Sequence, residues 1–167
     1  ACQWLDVVFV PLFVAGVETI VPLPGTKGGY GEGIIHADYT HSLVGALLLA
    51  ALFGAGAAAR WGRRAGLVLG AVVLSHWVLD LLVHRHDMPL LPANAGGLPL
   101  LGFGLWQFPN LTATVELALV VAGGGWYWRA ALAVCRQRGA PMRRAHIAGI
   151  LTVAFGVVVL ALSRFGL

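Results

Sequence analysis

Gly66–His84 reads GLVLGAVVLSHWVLDLLVH. A helix needs about 20 mostly apolar residues to cross the roughly 30 Å hydrocarbon core of a bilayer. This run meets that length with Ser75, His76 and Asp80 as its only polar interruptions before His84. Lipid offers nothing to an unpaired backbone, so a spanning segment of this kind has to be helical. Working outward, four more stretches carry the same pattern: about Trp4–Val21, His41–Ala59, Leu111–Val134 and His146–Ser163. The first is the least regular, since it holds Asp6, Pro11 and Glu18. The expectation is an all-α polytopic transmembrane helix bundle of about five spanning helices, forming one integral-membrane domain over residues 1–167. Composition agrees. Hydrophobic residues make up 59% of the chain and charged residues 11%, against about a quarter charged in soluble domains. Too little polar side chain is available to cover a water-soluble globule. That excludes an ordinary soluble domain, a disordered tail and a nucleic-acid module. Cys2 and Cys135 lie far apart with no CxxC spacing, which suggests neither a disulfide framework nor a zinc-thiolate site.

The charges are unevenly distributed. Arg60, Arg63 and Arg64 fall between the second and third stretches, and Arg129, Arg136, Arg138, Arg143 and Arg144 between the fourth and fifth. Lys27, Arg85 and Arg164 lie on the other side. Basic loops stay in the cytoplasm. The loops Pro22–Thr40 and Arg85–Asn110 then face outward, into the periplasm of a bacterium, with the protein in the inner (cytoplasmic) membrane as a multi-pass chain. Orientation and contact with anionic lipid account for the arginines, so membrane lipid is the expected partner and nucleic acid is not. A homo-oligomer or a place in a larger membrane complex is also open. Gly62, Gly66 and Gly70 recur every four residues, as do small residues around Gly54–Ala58. Such faces let helices pack closely. Gly123-Gly124-Gly125 marks a candidate kink.

Acids and histidines gather on the outer side. Ionisable groups are costly in hydrocarbon and normally face a bundle interior or a water-filled cavity. His76, Asp80 and His84 recur at i, i+4 and i+8, which stacks them on one helical face. Imidazole and carboxylate at that spacing can hold one divalent metal or two neighbouring ones. The alternative is a His–Asp hydrogen-bonded pair that joins helices. A second cluster, His36-Ala37-Asp38-Tyr39-Thr40-His41-Ser42, precedes the second helix. Thr40 or Asp38 is the expected N-cap there. Capping accounts for one of these groups but not for His36 and His41 as well, so a loop and helix start offering His, Asp and His stand opposite the first cluster. Donors that are all nitrogen and oxygen suit zinc, manganese or iron better than copper(I). Glu18 and Glu116 fall within a turn or two of the level of Asp80, by a rise of about 1.5 Å per residue. His86 and Asp87, beside Pro89, are expected to be solvated.

Thr40-His41-Ser42-Leu43, followed by Ser75-His76 with Asp80 four residues later, resembles the bacterial inner-membrane metal-dependent hydrolase family, the LexA-regulated group. That family's pattern has an early Asp, a THS motif opening a helix, and a later SHxxxD helix. Asp6 occupies the place of the early Asp. The segments His84–Leu90 and Gly102–Trp106 resemble a subgroup of small multi-pass proteins. The likeness covers roughly Ala1 to Glu116, and the last two helices match only in hydropathy. The family also carries an N-terminal helix with a His. The resemblance therefore implies one more helix upstream of Ala1.

Three functions follow as expectations. The first is an integral-membrane metal-dependent hydrolase near the outer membrane face, acting on a phosphoester or another amphiphile. Asp6, His41, His76 and Asp80 would hold one or two metal ions, zinc first and manganese or iron as alternatives. His36, Asp38 and His84 would be further ligands or supports, with Glu18 or Glu116 as general base. Gly-x-Ser-x-Gly is absent, which argues against an acyl-enzyme route. The second is a metal or proton transporter, although the polar groups crowd one side instead of spanning the membrane. The third is a non-catalytic subunit of a larger membrane complex, ligating haem or another pigment through His41 or His76.

Overall fold

The computed structural model describes residues 1–26 and 31–165; Lys27 of the first outer loop lies outside them. The chain divides into two compact units, residues 1–107 and 108–167. Its elements in order are α1 (Trp4–Val14), β1 (Thr19–Pro22), β2 (Gly33–His36), α2 (Leu43–Trp61), α3 (Arg63–Val83), α4 (Pro109–Arg138) and α5 (Met142–Phe165). Four of these, α2 to α5, are long and apolar enough to cross a membrane. The all-helical, polytopic expectation holds, with a small β-hairpin added. The first stretch contributes a shorter apolar helix among the described residues.

The reason is local. The helix that starts at Trp4 stops at Val14, and Gly16 sits in the left-handed region with φ 71°. Gly16 N–H donates to the Phe13 carbonyl and Val17 N–H to the Leu12 carbonyl. This is the paired bonding of a glycine-terminated helix. Eleven residues reach only about 16 Å at 1.5 Å per residue, half of a bilayer core. Beyond Gly16 the chain forms the antiparallel pair β1–β2, with Thr19 opposite His36 and Pro22 opposite Gly33. Glu18 is therefore in the turn before β1, not on a helix.

The centre of unit 1 is the α2–α3 hairpin. Gly62 alone connects the two helices, at φ 88°. The small-residue stripe works as expected. A Cβ on Gly54 would lie 2.9 Å from the Gly66 carbonyl oxygen, and one on Gly70 would lie 3.1 Å from the Ala50 carbonyl oxygen. Side chains there would force the backbones apart. Leu5 of α1 is buried against Ala46, Ala50, Val73 and Trp77, and the Trp4 ring packs on Phe53 at 5.2 Å. Much of α2 and α3 otherwise presents apolar side chains outward, Leu52 and Leu67 among them, as a lipid-facing surface requires. At the Gly62 turn the Arg60 guanidinium lies 5.9 Å from the Trp61 ring centre, a cation–π contact at the end of the hairpin remote from His41 and His76.

In unit 2, α4 begins with Pro109 at its first turn and ends at Gly139, which is left-handed. The helix runs unbroken through Gly123–Gly125. Gly124 does not mark a kink; it sits where a side chain would collide with Val153 of α5. Gly156 lies likewise against Val120, and Gly149 under the Trp128 ring.

Candidate functional site

The site is built where α1, the start of α2 and the last half of α3 meet. Ser42, rather than Thr40 or Asp38, caps α2: its hydroxyl accepts from Gly45 N–H at 3.0 Å. The same hydroxyl donates to the Tyr39 carbonyl at 3.0 Å. Pro89 and Leu90 take two more of the N–H groups that a helix start leaves free, accepting from Leu43 and Val44. Trp77 on α3 donates its indole N–H to the His41 carbonyl at 2.8 Å. His41 is thereby fixed against α3.

Four expected ligands converge. His41 Nε2 lies 3.5 Å from Asp6 Oδ1 and 3.4 Å from Asp80 Oδ2. His76 Nε2 lies 3.4 Å from the same Asp6 oxygen and 3.1 Å from the same Asp80 oxygen. One ligand atom each from Asp6, His41 and His76 falls within 4.8 Å of the other two. Asp80 Oδ2 is buried without a hydrogen-bond donor. The cluster is enclosed except at Asp6, whose side chain is 46% exposed against 6% for His41, 13% for His76 and 16% for Asp80. Phe9 of α1 closes one wall, its ring edge-on to His41 at 6.0 Å.

The remaining expected residues go elsewhere. His36 is exposed at the end of β2, and Asp38 lends its backbone carbonyl to Ala93 N–H. Neither joins the group of converging ligand atoms among the described residues. His84 is buried beside the cluster. Its Nδ1 lies 3.0 Å from Asp87 Oδ1, and its ring stacks on His41 at 6.3 Å and meets Trp106 at 4.6 Å. Asp87 also accepts from Ile35 N–H at 3.0 Å, tying the β-hairpin to the end of α3. Asp87 was expected in solvent and is 5% exposed; His86 is indeed exposed. The Arg85 guanidinium donates to the Gly31 carbonyl at 2.9 Å, and the segment after Met88 folds back so that Gly104 N–H reaches the His84 carbonyl.

Glu18 lies outside the group of converging ligand atoms, on the Thr40 side of His41. It is fully buried, and Oε1 accepts from Tyr39 and Thr40 N–H, both at 2.8 Å. Thr40 Oγ1 lies 2.9 Å from Oε2 and 2.8 Å from His41 Nδ1. Glu116 belongs to α4 in the second unit. Hydropathy hid these roles. The signal that could have revealed Glu18 was Gly16, two residues before it, as a helix stop.

Comparison with known proteins fits this architecture. No solved structure matches the chain. A protein of Mycolicibacterium smegmatis (strain ATCC 700084 / mc(2)155) named as a triacylglyceride transporter is 31% identical over an alignment of 140 residues that takes in 75% of this chain. The match covers 25% of that relative's length. The family described as YdjM inner membrane protein matches residues 4–165, and the chain belongs to that family.

Proposed function

We propose that the protein is an integral-membrane metal-dependent hydrolase whose single divalent ion, zinc, is held by Asp6, His41, His76 and Asp80. The convergence of two imidazole nitrogens and two carboxylate oxygens carries this reading. Ligands about 2.0–2.1 Å from a tetrahedral zinc lie about 3.3–3.4 Å from one another. The four separations between a histidine nitrogen and a carboxylate oxygen run from 3.1 to 3.5 Å. A cation held among them would give Asp80 Oδ2, buried without a hydrogen-bond donor, a partner. A bound zinc ion would polarise a phosphoryl or carbonyl oxygen and lower the pKa of a coordinated water.

The chain's own residues supply the rest. Asp6, the half-exposed edge of the cluster, is the side from which a substrate arrives. Phe9 and the apolar α1 face beside it suit an amphiphile with its reacting group at the membrane surface. His84, with Nδ1 engaged by Asp87, keeps Nε2 for moving a proton, the task expected of Glu18 or Glu116. The likeness to the LexA-regulated metal-dependent hydrolases points to the same chemistry through THS and SHxxxD. The arginine-rich Gly62 turn lies at the far end of the hairpin, which supports an outer-face site under the positive-inside rule.

Metal analysis of protein purified without chelator tests the reading. One equivalent of zinc, manganese or iron is expected; a parent that takes up none of them sinks it. A second reading, movement of a lipid without cleaving it, is favoured by the relative named as a triacylglyceride transporter. Proteoliposomes carrying labelled phospholipid and triacylglycerol separate the two: a hydrolase leaves cleaved products, whereas a transporter relocates intact lipid.

A further inference from the structure

Behind His41, on the side away from Asp6 and Asp80, lies a buried chain of polar groups with a definite direction. Glu18, Thr40 and His41 are 0%, 2% and 5% exposed. The Thr40 hydroxyl has one hydrogen to give and lone pairs to accept with. It stands 2.9 and 3.1 Å from the two Glu18 oxygens and 2.8 Å from His41 Nδ1. A carboxylate only accepts. Were the hydroxyl hydrogen turned towards the ring, oxygen lone pairs would face each other across 2.9 Å, in a place too buried for solvent to relieve them. The hydrogen therefore goes to Glu18, and the hydroxyl oxygen accepts the Nδ1 hydrogen of His41. A neutral imidazole with its hydrogen on Nδ1 has its lone pair on Nε2. Nε2 is the atom that faces Asp6 and Asp80.

We propose that Glu18 and Thr40 are positioning residues: they fix His41 in the tautomer that offers Nε2 to a cation. This rests on the metal-site reading for its purpose, but the hydrogen arrangement itself does not need a metal. Carboxylate groups behind ligating histidines do this in many zinc sites; here one hydroxyl is interposed. The arrangement also explains why Glu18, a full acid, is buried far along the sequence from the residues it serves. Its two backbone bonds to Tyr39 and Thr40 hold the turn that opens α2, and its bond to the Thr40 hydroxyl sets the ring.

Two measurements test it. The first is solid-state nitrogen NMR of metal-free protein in liposomes, with ¹⁵N-histidine and the His41 signals identified by their loss in His41→Gln. A protonated Nδ1 is expected, and a bare, pyridine-like Nδ1 overturns the proposal. The second is zinc affinity by competition with a chelator. Thr40→Val keeps the shape but removes the hydroxyl, and should weaken zinc binding about 10–100-fold. Thr40→Ser keeps the hydroxyl and should remain near wild type. A packing role predicts the reverse order, with Val tolerated and Ser impaired, and that order would refute positioning. If Thr40→Val fails to fold, the nitrogen spectrum and Thr40→Ser still decide. A wild-type protein that binds no zinc removes the metal reading, and the Nδ1 signal then judges the relay alone.

Discussion

Zinc should stabilise the parent protein and do almost nothing for His76→Ala. A ligand that binds only the folded state adds RT ln(1 + [L]/Kd), about 2.7 kcal/mol at a hundredfold excess over Kd. In a chain of this size each kcal/mol moves Tm by about 2–4 °C, so the expected rise is about 5–11 °C. His76 Nε2 makes two of the four close approaches in the cluster, 3.4 Å to Asp6 and 3.1 Å to Asp80. Removing it leaves His41 as the only nitrogen donor there. If affinity falls a hundredfold, the same zinc concentration adds only about 0.4 kcal/mol, a shift of about 1–2 °C. The assay is thermal unfolding in detergent, read as the difference between zinc-buffered and chelator-treated samples of each variant. That difference cancels the separate cost of taking one of its two imidazole neighbours from the Asp80 carboxylate. His146→Ala is the control, because His146 lies on α5, outside the cluster, and accepts from the Trp128 indole. An equal zinc shift in His76→Ala and parent, or no shift in the parent, refutes the four-ligand site.

Gly66→Leu should abolish the zinc shift without touching a ligand, since even a Cβ at Gly66 meets Ala58 and the Gly54 carbonyl; unchanged zinc binding in that variant would mean that the hairpin spacing does not set the site. With Cys2 and Cys135 replaced by serine, a cysteine at Ala95 should label from the periplasmic side of intact cells and one at Arg63 only after permeabilisation. The opposite pattern reverses the orientation.

What could be read from the chain follows from the range of the forces involved. His76 and Asp80 on one helical face were legible because helical periodicity is local. THS and SHxxxD marked His41 and added Asp6 through likeness. Hydropathy, however, sums over a window and does not register a single left-handed glycine. The first stretch therefore read as one run to Val21, although its helix ends at Val14 before Gly16. The misassignment of Glu18 followed directly, since a residue read as helical was in fact free to fold under the Thr40 turn. His36 and Asp38 looked equivalent to His41 in sequence. They differ because the His36 side chain at the end of β2 is exposed, and Asp38 lies past the strand, where its backbone carbonyl accepts from Ala93. Asp87 beside two prolines reads as solvated, and its burial depends on a partner, Ile35, far away in the chain.

The position of the site is set by the smallest residues in the chain. Gly62 allows α2 and α3 to reverse with a single residue between them. Gly54 then lies against Gly66 and Gly70, and Gly70 against Ala50. In an antiparallel hairpin each step back along one helix is matched by an equal step forward along the other. About thirteen residues back from Gly54 is His41, and the same distance beyond Gly66–Gly70 falls at about Leu79–Val83, within a turn of His76, Asp80 and His84. The stripe of small residues thus fixes both the distance between the helices and the level at which the two histidine-bearing segments meet. It leaves the arginine turn at one end of the hairpin and the acidic cluster at the other. Wider spacing would give lipid-stable helices with histidines too far apart to share a cation. The histidines and aspartates would supply the chemistry, and the glycines decide whether those side chains meet.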